Sequence, residues 1–193
     1  MKRKLSTFLL GLTLSSTAQA VFPGPYAGIT LGEAFTNYSA SNTGLASATV
    51  DNTGLGGSLY GGYQFNMNWG VELAYVQFPS TKFDNVVGGA NSTGTVNENA
   101  IEIMIKGTVP ISDAGFNITA KAGAAYLNAT ASHTFSNVSG APNQGRLLPA
   151  YGVGFSYDVT SSTPLEISWS RIQNGGNMQS ADLLGLSLTY FFN

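Results

Sequence analysis

The stretch Asp182-Leu-Leu-Gly-Leu-Ser-Leu-Thr-Tyr-Phe-Phe192 decides the fold of this chain. Successive side chains of a β-strand point to opposite faces, so residues two apart share a face. One face of this stretch is therefore apolar and ends in aromatic rings, whereas the other face is small and polar. The apolar face carries Leu184, Leu186, Leu188, Tyr190 and Phe192, and the other face carries Gly185, Ser187 and Thr189. In an exported chain this pattern favours a strand whose apolar side faces lipid.

The first twenty residues have the pattern of a secretory signal peptide. Lys2-Arg-Lys4 is basic, the segment from Phe8 to Leu14 is apolar, and Ala18-Gln-Ala20 is a small-x-small cleavage pattern. We predict a signal peptide over residues 1–20, cleaved near Ala20, and one barrel domain over residues 21–193. The alternative is an uncleaved anchor, but the apolar segment is too short to cross a bilayer as a helix.

The composition excludes several classes of protein. Charged residues make up 9% of the chain, against roughly 25% in an ordinary soluble domain. Cleavage removes three of the eight Lys and Arg residues and none of the ten Asp and Glu residues, so the remaining chain is acidic and unsuited to nucleic acid. The chain has no cysteine, which excludes a disulfide framework. No later apolar stretch is long enough to predict a transmembrane helix.

Eight segments of the chain alternate with a period of two residues. The pattern is sharpest where Ile101, Ile103 and Ile105 alternate with Glu102 and Met104. The eight predicted strands cover about 26–34, 54–65, 69–78, 101–109, 116–126, 151–159, 165–170 and 182–192. In the third strand, Val76 and Phe78 break the parity, which predicts a bulge or the point where the strand leaves the membrane.

The predicted connections alternate between short turns and long polar loops. The short turns cover residues 66–68, 112–115 and 160–164, and the long loops cover 36–53, 82–97, 133–146 and 173–180. Short periplasmic turns and long outer loops are typical of outer-membrane barrels. We therefore predict an all-β fold, an eight-stranded antiparallel transmembrane β-barrel. The alternative is a soluble β-sandwich or lipocalin-like barrel, whose surface would carry many more Lys and Glu residues.

The chain resembles the small outer-membrane barrels of the OmpA, OmpX and opacity-protein type. Its segment Pro25-Tyr-Ala-Gly-Ile-Thr-Leu-Gly32 looks like their opening strand, and Leu183 to Phe192 is similar to the terminal signal read by the barrel-assembly machinery. The family signal usually ends on Phe, whereas Asn193 follows here. The resemblance implies the bacterial outer membrane, contact with lipopolysaccharide and insertion by that machinery, and we expect a monomer. The signal residues would be Gly185, Leu188, Tyr190 and Phe192.

Six charged side chains fall on the predicted lumen face of the strands. An eight-stranded barrel has an interior that side chains fill, and a charge buried there needs a partner. We predict a polar plug in which Lys106 and Lys121 are bridged by Glu72, Glu102 or Glu166. The six members of this lumen charge network are Glu72, Glu102, Lys106, Lys121, Asp158 and Glu166. The network has two interpretations, a pairing for stability and a switchable gate.

Catalysis has little support in the sequence. His133 is the only histidine, and a hydrolase of the lipid A deacylase kind would need it beside a nucleophile and an orienting acid. Ser132 and Ser136 are near, but no acid lies nearby in the sequence. No metal-ligand cluster or phosphate-binding loop appears, so we expect neither an enzyme nor a cofactor.

Aromatic and basic residues near the strand ends suggest contacts with the membrane interfaces. Aromatic belts would contain Phe65, Trp69, Phe116, Tyr190 and Phe192 on the periplasmic side, and Tyr38, Phe78, Phe83, Tyr126, Phe135 and Tyr151 on the outer side. Lys82, Arg146 and Arg171 would contact lipopolysaccharide phosphates at the outer rim.

These features predict a structural or surface-interaction role, in membrane integrity or in adhesion to a host or cell-surface ligand through the outer loops. The alternatives are a narrow channel for small or hydrophobic solutes, as in OmpW-like barrels, and a lipid A-modifying enzyme.

Overall fold

The computed structural model describes residues 23–39, 49–84, 93–131, 144–176 and 178–192. The strands are β1 (Gly24–Thr36), β2 (Thr49–Asp51), β3 (Thr53–Gln64), β4 (Trp69–Gln77), β5 (Thr81–Asp84), β6 (Thr93–Pro110), β7 (Phe116–Ala131), β8 (Gln144–Thr160), β9 (Thr163–Ile172) and β10 (Ala181–Phe191). Within the described ranges, no helix is long and apolar enough to cross a membrane. The predicted signal peptide and parts of three predicted outer loops, residues 40–48, 85–92 and 133–143, lie outside these ranges.

Eight long strands pair into a closed antiparallel barrel. Neighbours follow in the order β1, β3, β4, β6, β7, β8, β9 and β10. Strand β10 then pairs back with β1, in a ladder that runs from Tyr26↔Phe191 to Thr36↔Ala181. The predicted eight-stranded antiparallel barrel is confirmed, and the remaining strands, β2 and β5, only extend its wall at the outer end.

The barrel wall extends farther at its outer end than the alternation of apolar residues predicted. Strand β6 begins at Thr93, and β5 pairs with both β2 and β6 inside segments that the sequence assigned to loops. The outward-facing residues of this extension, such as Asn97 and Asn99, are polar. Apolar alternation therefore ends where the wall leaves lipid, although the backbone ladder continues into water.

The outward face of the barrel forms an apolar band. Exposed side chains of this band include Ile29, Leu31, Leu59, Leu73, Ile103, Ile105, Val153, Ile167, Leu186 and Leu188. Near the short turns the band ends in aromatic pairs. The rings of Tyr63 and Phe65 are 5.6 Å apart, and those of Tyr190 and Phe192 are 5.3 Å apart. Aromatic rings at this level fit the headgroup zone of the periplasmic leaflet.

Tight turns close the periplasmic end of the barrel. The Asn66 side chain accepts hydrogen bonds from the backbone N–H groups of Asn68 and Trp69, both at 2.9 Å. Asparagine favours this local pattern in turns. Between β6 and β7, Gly115 has a φ of 86°, which glycine adopts without strain.

Strand β4 keeps a regular alternation to its outer end. Val76 and Phe78 point inward with Ala74, and Tyr75 points outward. The bulge considered for this strand is therefore wrong, because the parity is unchanged and apolar side chains simply fill the outer lumen. Among the described residues the register shifts between Asp158 and Thr160, in the pairing of β8 with β9.

A charge placed in the apolar band tests this assignment of the membrane level. Ile103 is 64% exposed on the outward face of β6. Ile103→Lys is expected to lower the free energy of unfolding by roughly 2–4 kcal/mol, as for a lysine near the bilayer midplane. Thr93→Lys, on the exposed outer extension of the same strand, is the matched control and should change it little. Urea unfolding in lipid vesicles measures both, and equal effects would contradict the assigned level.

Candidate functional site

The lumen is crossed at mid-height by an ionic cluster. Lys121 Nζ lies 2.8 Å from Glu72 Oε1 and 3.9 Å from Glu166 Oε1. Tyr26 donates its hydroxyl hydrogen to Glu72 Oε2 at 3.2 Å, and Thr119 donates to Glu166 Oε2 at 2.9 Å. Each carboxylate therefore has a neutral donor in addition to the shared lysine. Such extra hydrogen bonds are what a buried ion pair needs to offset its loss of hydration.

Two tyrosines complete this level of the lumen. The rings of Tyr26 and Tyr60 are 6.5 Å apart and inclined at 68°. Lys121 Nζ lies 5.2 Å from the centre of the Tyr60 ring, within the range of a cation–π contact. We call Tyr26, Tyr60, Glu72, Lys121 and Glu166 the central layer. It fills the narrow lumen with large side chains from five different strands.

Glycines make room for the two tyrosines. A Cβ atom at Gly62 would lie 2.5 Å from Cζ of Tyr26, and one at Gly28 would lie 2.5 Å from Cζ of Tyr60. Both glycines lie on the lumen faces of the strands that carry the tyrosines, β1 and β3. Tyr26 and Tyr60 were not predicted as site residues, although parity placed them on the face occupied by small residues. A large ring among lumen-facing glycines was the available signal.

Lys106 faces the lumen and forms no ion pair with a carboxylate of the described residues. It pairs across strands with Lys121, yet Lys121 contacts Glu72, whereas Lys106 Nζ lies 5.2 Å from the centre of the Tyr26 ring. Among the described residues, no carboxylate oxygen lies within 4.0 Å of Lys106 Nζ. Lys106 lines a cavity of about 80 Å³ at the periplasmic end of the lumen, together with Asp158.

The other two members of the predicted network are also apart from the central layer. Asp158 Oδ2 accepts a hydrogen bond from Asn117 Nδ2 at 3.1 Å near the periplasmic end. Glu102 lines a smaller cavity of about 30 Å³ on the outer side of Lys121. All six predicted side chains thus lie on the lumen side of the wall. Lys121, Glu72 and Glu166 come together, and Lys106, Glu102 and Asp158 do not join them by ion pairs.

Above the central layer the lumen is filled by an apolar cluster, the outer plug. Its members include Ala34, Tyr38, Val76, Phe78, Phe83, Val96, Leu127, Leu148, Ile172, Met178 and Leu183, all buried. Tyr38, Phe78 and Phe83 were predicted to lie in an outer aromatic belt, and this is wrong. At this level the outward positions are polar, as at Asn37 and Gln77, so the apolar face of the wall turns inward. Phe135 lies outside the described residues.

The outer plug encloses the carboxylate of Glu98. Glu98 is 0% exposed, and its Oε1 accepts a hydrogen bond from the Tyr38 hydroxyl at 2.6 Å. Its Oε2 has no hydrogen-bond partner among the residues that the structure describes. Glu98 lies between the outward-facing Asn97 and Asn99, beyond the apolar band that begins at Ile101. Burial raises the pKa of Glu98 to about 7, and the Tyr38 hydrogen bond only partly opposes that rise.

The basic residues predicted at the outer rim differ in their surroundings. Arg171 donates to both carboxylate oxygens of Asp182, at 2.8 and 2.9 Å. Trp169 Nε1 donates to the same carboxylate at 3.0 Å. Arg171 is therefore held by a protein partner, whereas Lys82 and Arg146 are exposed. His133, the histidine considered for catalysis, lies outside the described residues.

The predicted C-terminal signal residues lie at the closing seam, which is the ladder between β1 and β10. Leu188, Tyr190 and Phe192 face outward into the apolar band. Gly185 faces inward, opposite Gly32. A Cβ at Gly32 would lie 2.4 Å from Cα of Gly185, so the two strands approach too closely there for a side chain.

The comparisons with known proteins agree with this architecture. A family model described as "Outer membrane protein beta-barrel domain" matches residues 5–192. The chain belongs to this family. It is an outer-membrane β-barrel protein of Gram-negative bacteria, with its apolar band in the outer membrane. A comparison with curated protein sequences gives no match.

Solved structures of small outer-membrane barrels share the fold. OprG from Pseudomonas aeruginosa is 13% identical with a TM-score of 0.60, over 90% of this chain and 99% of OprG. Neisserial surface protein A is 14% identical with a TM-score of 0.55, over 88% and 97% of the two chains. Ail of Yersinia pestis is 18% identical with a TM-score of 0.51, over 89% and 100%. At these identities the likeness establishes the fold of the barrel family and no particular activity.

Removing the lysine of the central layer tests its energetic role. Lys121→Met leaves the buried Glu72 carboxylate without its cation, which is expected to cost roughly 3–5 kcal/mol of unfolding free energy. The double variant Lys121→Met/Glu72→Gln removes both charges and should recover most of that loss. Lys82→Met, at an exposed position, is the control. If the single and double variants unfold at the same urea concentration, the pair is not coupled.

From the raised pKa of the Glu98 carboxyl we predict that the stability of the barrel depends on pH. Its folded pKa of about 7 exceeds the ordinary 4.5, so the folded state holds a proton that the unfolded state has released. The free energy of unfolding is therefore highest below about pH 4.5 and falls as the pH rises to about 7, by on the order of 3 kcal/mol.

Glu98→Gln should remove this slope and make the barrel more stable than the unmodified protein above neutral pH. Urea midpoints measured across the pH range check it, with Glu33→Gln, at an exposed outward position, as control. Parallel profiles for the unmodified protein and Glu98→Gln would contradict the assignment.

Proposed function

We propose that this protein is a closed membrane anchor with a structural or surface-interaction role, carried by the outer end of the barrel and its loops. The observation that supports this is the filling of the lumen at two heights. The central layer closes it with an ionic cluster, and the outer plug closes it with apolar side chains. The ionic contacts of the central layer and the apolar packing of the outer plug are formed by different residues.

The sizes of the remaining spaces support a closed barrel. The cavities on the periplasmic and outer sides of Lys121 measure about 80 and 30 Å³. A buried water needs roughly 10–15 Å³ measured in this way, so each cavity holds a few waters. A solute crossing the barrel would have to part Lys121 from Glu72 and also displace the outer plug.

The wall above the membrane supplies a polar surface for interaction. Strands β2, β5 and the outer part of β6 extend beyond the apolar band. Ail, the attachment invasion locus protein, was crystallised with the heparin analogue sucrose octasulfate. In this chain the described outer surface carries Lys82, which pairs across strands with the exposed Asp51, and also the exposed Asp84 and Arg146. It is not a basic patch, so we propose a host or cell-surface ligand other than a polyanion.

The route to the membrane is part of the same proposal. A signal peptide over residues 1–20 would direct export and be removed near Ala20. The barrel-assembly machinery would then read Gly185, Leu188, Tyr190 and Phe192 at the last strand. Their position at the closing seam supports this role, because the strand that closes the barrel must be placed correctly for every other pairing to be completed. The folded protein would be a monomer in contact with lipopolysaccharide.

A narrow channel is the second candidate function. The observation that favours it is the position of Lys121, which separates the two cavities and lies near both Glu72 and Glu166. Movement of Lys121 away from these carboxylates would be the first step in joining the two spaces. The outer plug would still have to open before any solute could pass.

Conductance and adhesion together test the proposal. In planar bilayers the unmodified protein and Glu102→Gln are both expected to show no steady current, because the central layer and outer plug remain in place. Cells that display the barrel should adhere to host cells, and deletion of residues 132–143 should reduce adhesion while the barrel still folds. A steady current that changes in Glu102→Gln would overturn the closed anchor in favour of the channel. Adhesion unchanged by loop deletion would leave only a structural role.

A further inference from the structure

The charged side chains of the lumen do not balance. Among the described residues of the lumen below the outer plug there are four carboxylates, of Glu72, Glu102, Asp158 and Glu166, and two ammonium groups, of Lys106 and Lys121. Lys121 already contacts Glu72 and Glu166. An uncompensated charge in a low-dielectric interior is costly. The lumen therefore has a formal excess of negative charge that its own lysines leave in place.

Glu102 is the carboxylate of this set with the fewest partners. It is 7% exposed and pairs across strands with Ala74 and Ala125, neither of which has a polar side chain. Among the described residues, no cation lies within 4.0 Å of its carboxylate. No side-chain hydrogen bond to it is formed by these residues either. The carboxylate instead faces a cavity.

The cavity beside Glu102 offers further oxygen ligands. Its polar lining consists of Glu102, Glu72, Tyr60, Lys121 and the hydroxyl groups of Thr30, Ser58, Ser168 and Ser170. The hydroxyls of Thr30 and Ser168 lie 2.9 and 3.5 Å from that of Ser187. Val76 and Leu183 of the outer plug also line it. A space of about 30 Å³ holds two or three waters, or one small ion that keeps part of its hydration.

We infer that this cavity is a site for one monovalent alkali cation, sodium or potassium, coordinated by the Glu102 carboxylate and neighbouring oxygens. Hard cations prefer carboxylate, hydroxyl and water oxygens, which are the groups present. Within the described ranges, no group of three or more His, Cys, Asp or Glu side chains is placed to hold a metal ion. A divalent ion would also face stronger repulsion from Lys121. The site is consistent with a closed barrel and does not depend on the adhesion role.

The site is tested by refolding the protein into a neutral detergent in different salts. Sodium or potassium chloride is compared with N-methylglucamine chloride at the same ionic strength, above about pH 8 so that carboxyl groups are ionised. The thermal unfolding midpoint should be higher in sodium or potassium, and the shift should saturate with concentration as for a bound ligand. Glu102→Gln should abolish the shift, while Glu33→Gln, which changes an exposed outward carboxylate, should keep it.

The behaviour of Glu102→Gln without the small cation separates this site from a structural ion pair. In N-methylglucamine the variant should be at least as stable as the unmodified protein, because it removes an uncompensated charge. Should Glu102→Gln fail to refold, sodium-23 line widths of the unmodified protein should broaden and be restored by excess potassium. Equal midpoints in all salts, a shift retained by Glu102→Gln, or stability that follows pH and not sodium would overturn the inference. The last result would assign the compensating charge to a proton.

Discussion

Backbone hydrogen bonding in lipid is the constraint on which this structure depends. An N–H or C=O group in the hydrocarbon region has no water to bond, so each strand must be paired along both edges. The ladder between β1 and β10 meets that need by joining the first and last strands. The backbone N–H of Phe192 extends it by donating to the carbonyl of Pro25 at 3.0 Å. Once the wall is closed, parity fixes which side chains meet lipid and which fill the lumen.

Closure with eight strands leaves an interior that must be filled by side chains. The middle and the outer part of the lumen are filled by different means. At mid-height, tyrosine rings occupy the space left by Gly28 and Gly62, and their hydroxyls bond Thr189 and Glu72. Toward the outside, the lumen residues are apolar, because the wall there faces water and the usual orientation of apolar side chains reverses. One barrel thus has a lipid-facing apolar band below and an enclosed apolar plug above.

The fold was accessible from the sequence because its signal is repeated in every strand. Each of the eight long strands was found by alternation, since lipid requires an apolar residue at nearly every outward position. Strands β2 and β5 were missed because their outward residues, such as Asp51 and Lys82, face water. The same reversal explains why Phe78 and Phe83 were misplaced. A period of two identifies two faces, and the solvent on each side must be known before either face can be assigned.

The partners within the lumen were less accessible than the fold. Parity places Lys106 and Lys121 on the same face, but it gives no information on how far each side chain extends along the barrel axis. Lys121 lies with Glu72 and Tyr60, whereas the directly opposite Lys106 lies over Tyr26. Like charges placed opposite each other are unfavourable, and separation along the axis relieves that repulsion. Ion pairing between lumen side chains therefore depends on the stagger of the strands and on side-chain length. The alternation of apolar and polar residues contains no information on either.

The central layer and the outer plug respond differently to a change of pH. The central layer consists of paired charges, whose attraction depends on both partners remaining ionised. The outer plug is apolar and contains Glu98, whose burial favours the protonated form. Protonation of Glu98 stabilises the plug, whereas protonation of a carboxylate beside Lys121 would weaken the central layer. No single change of pH loosens both levels together. A wall with two chemically independent closures is suited to a permanent anchor, because opening a pore through it requires two separate events.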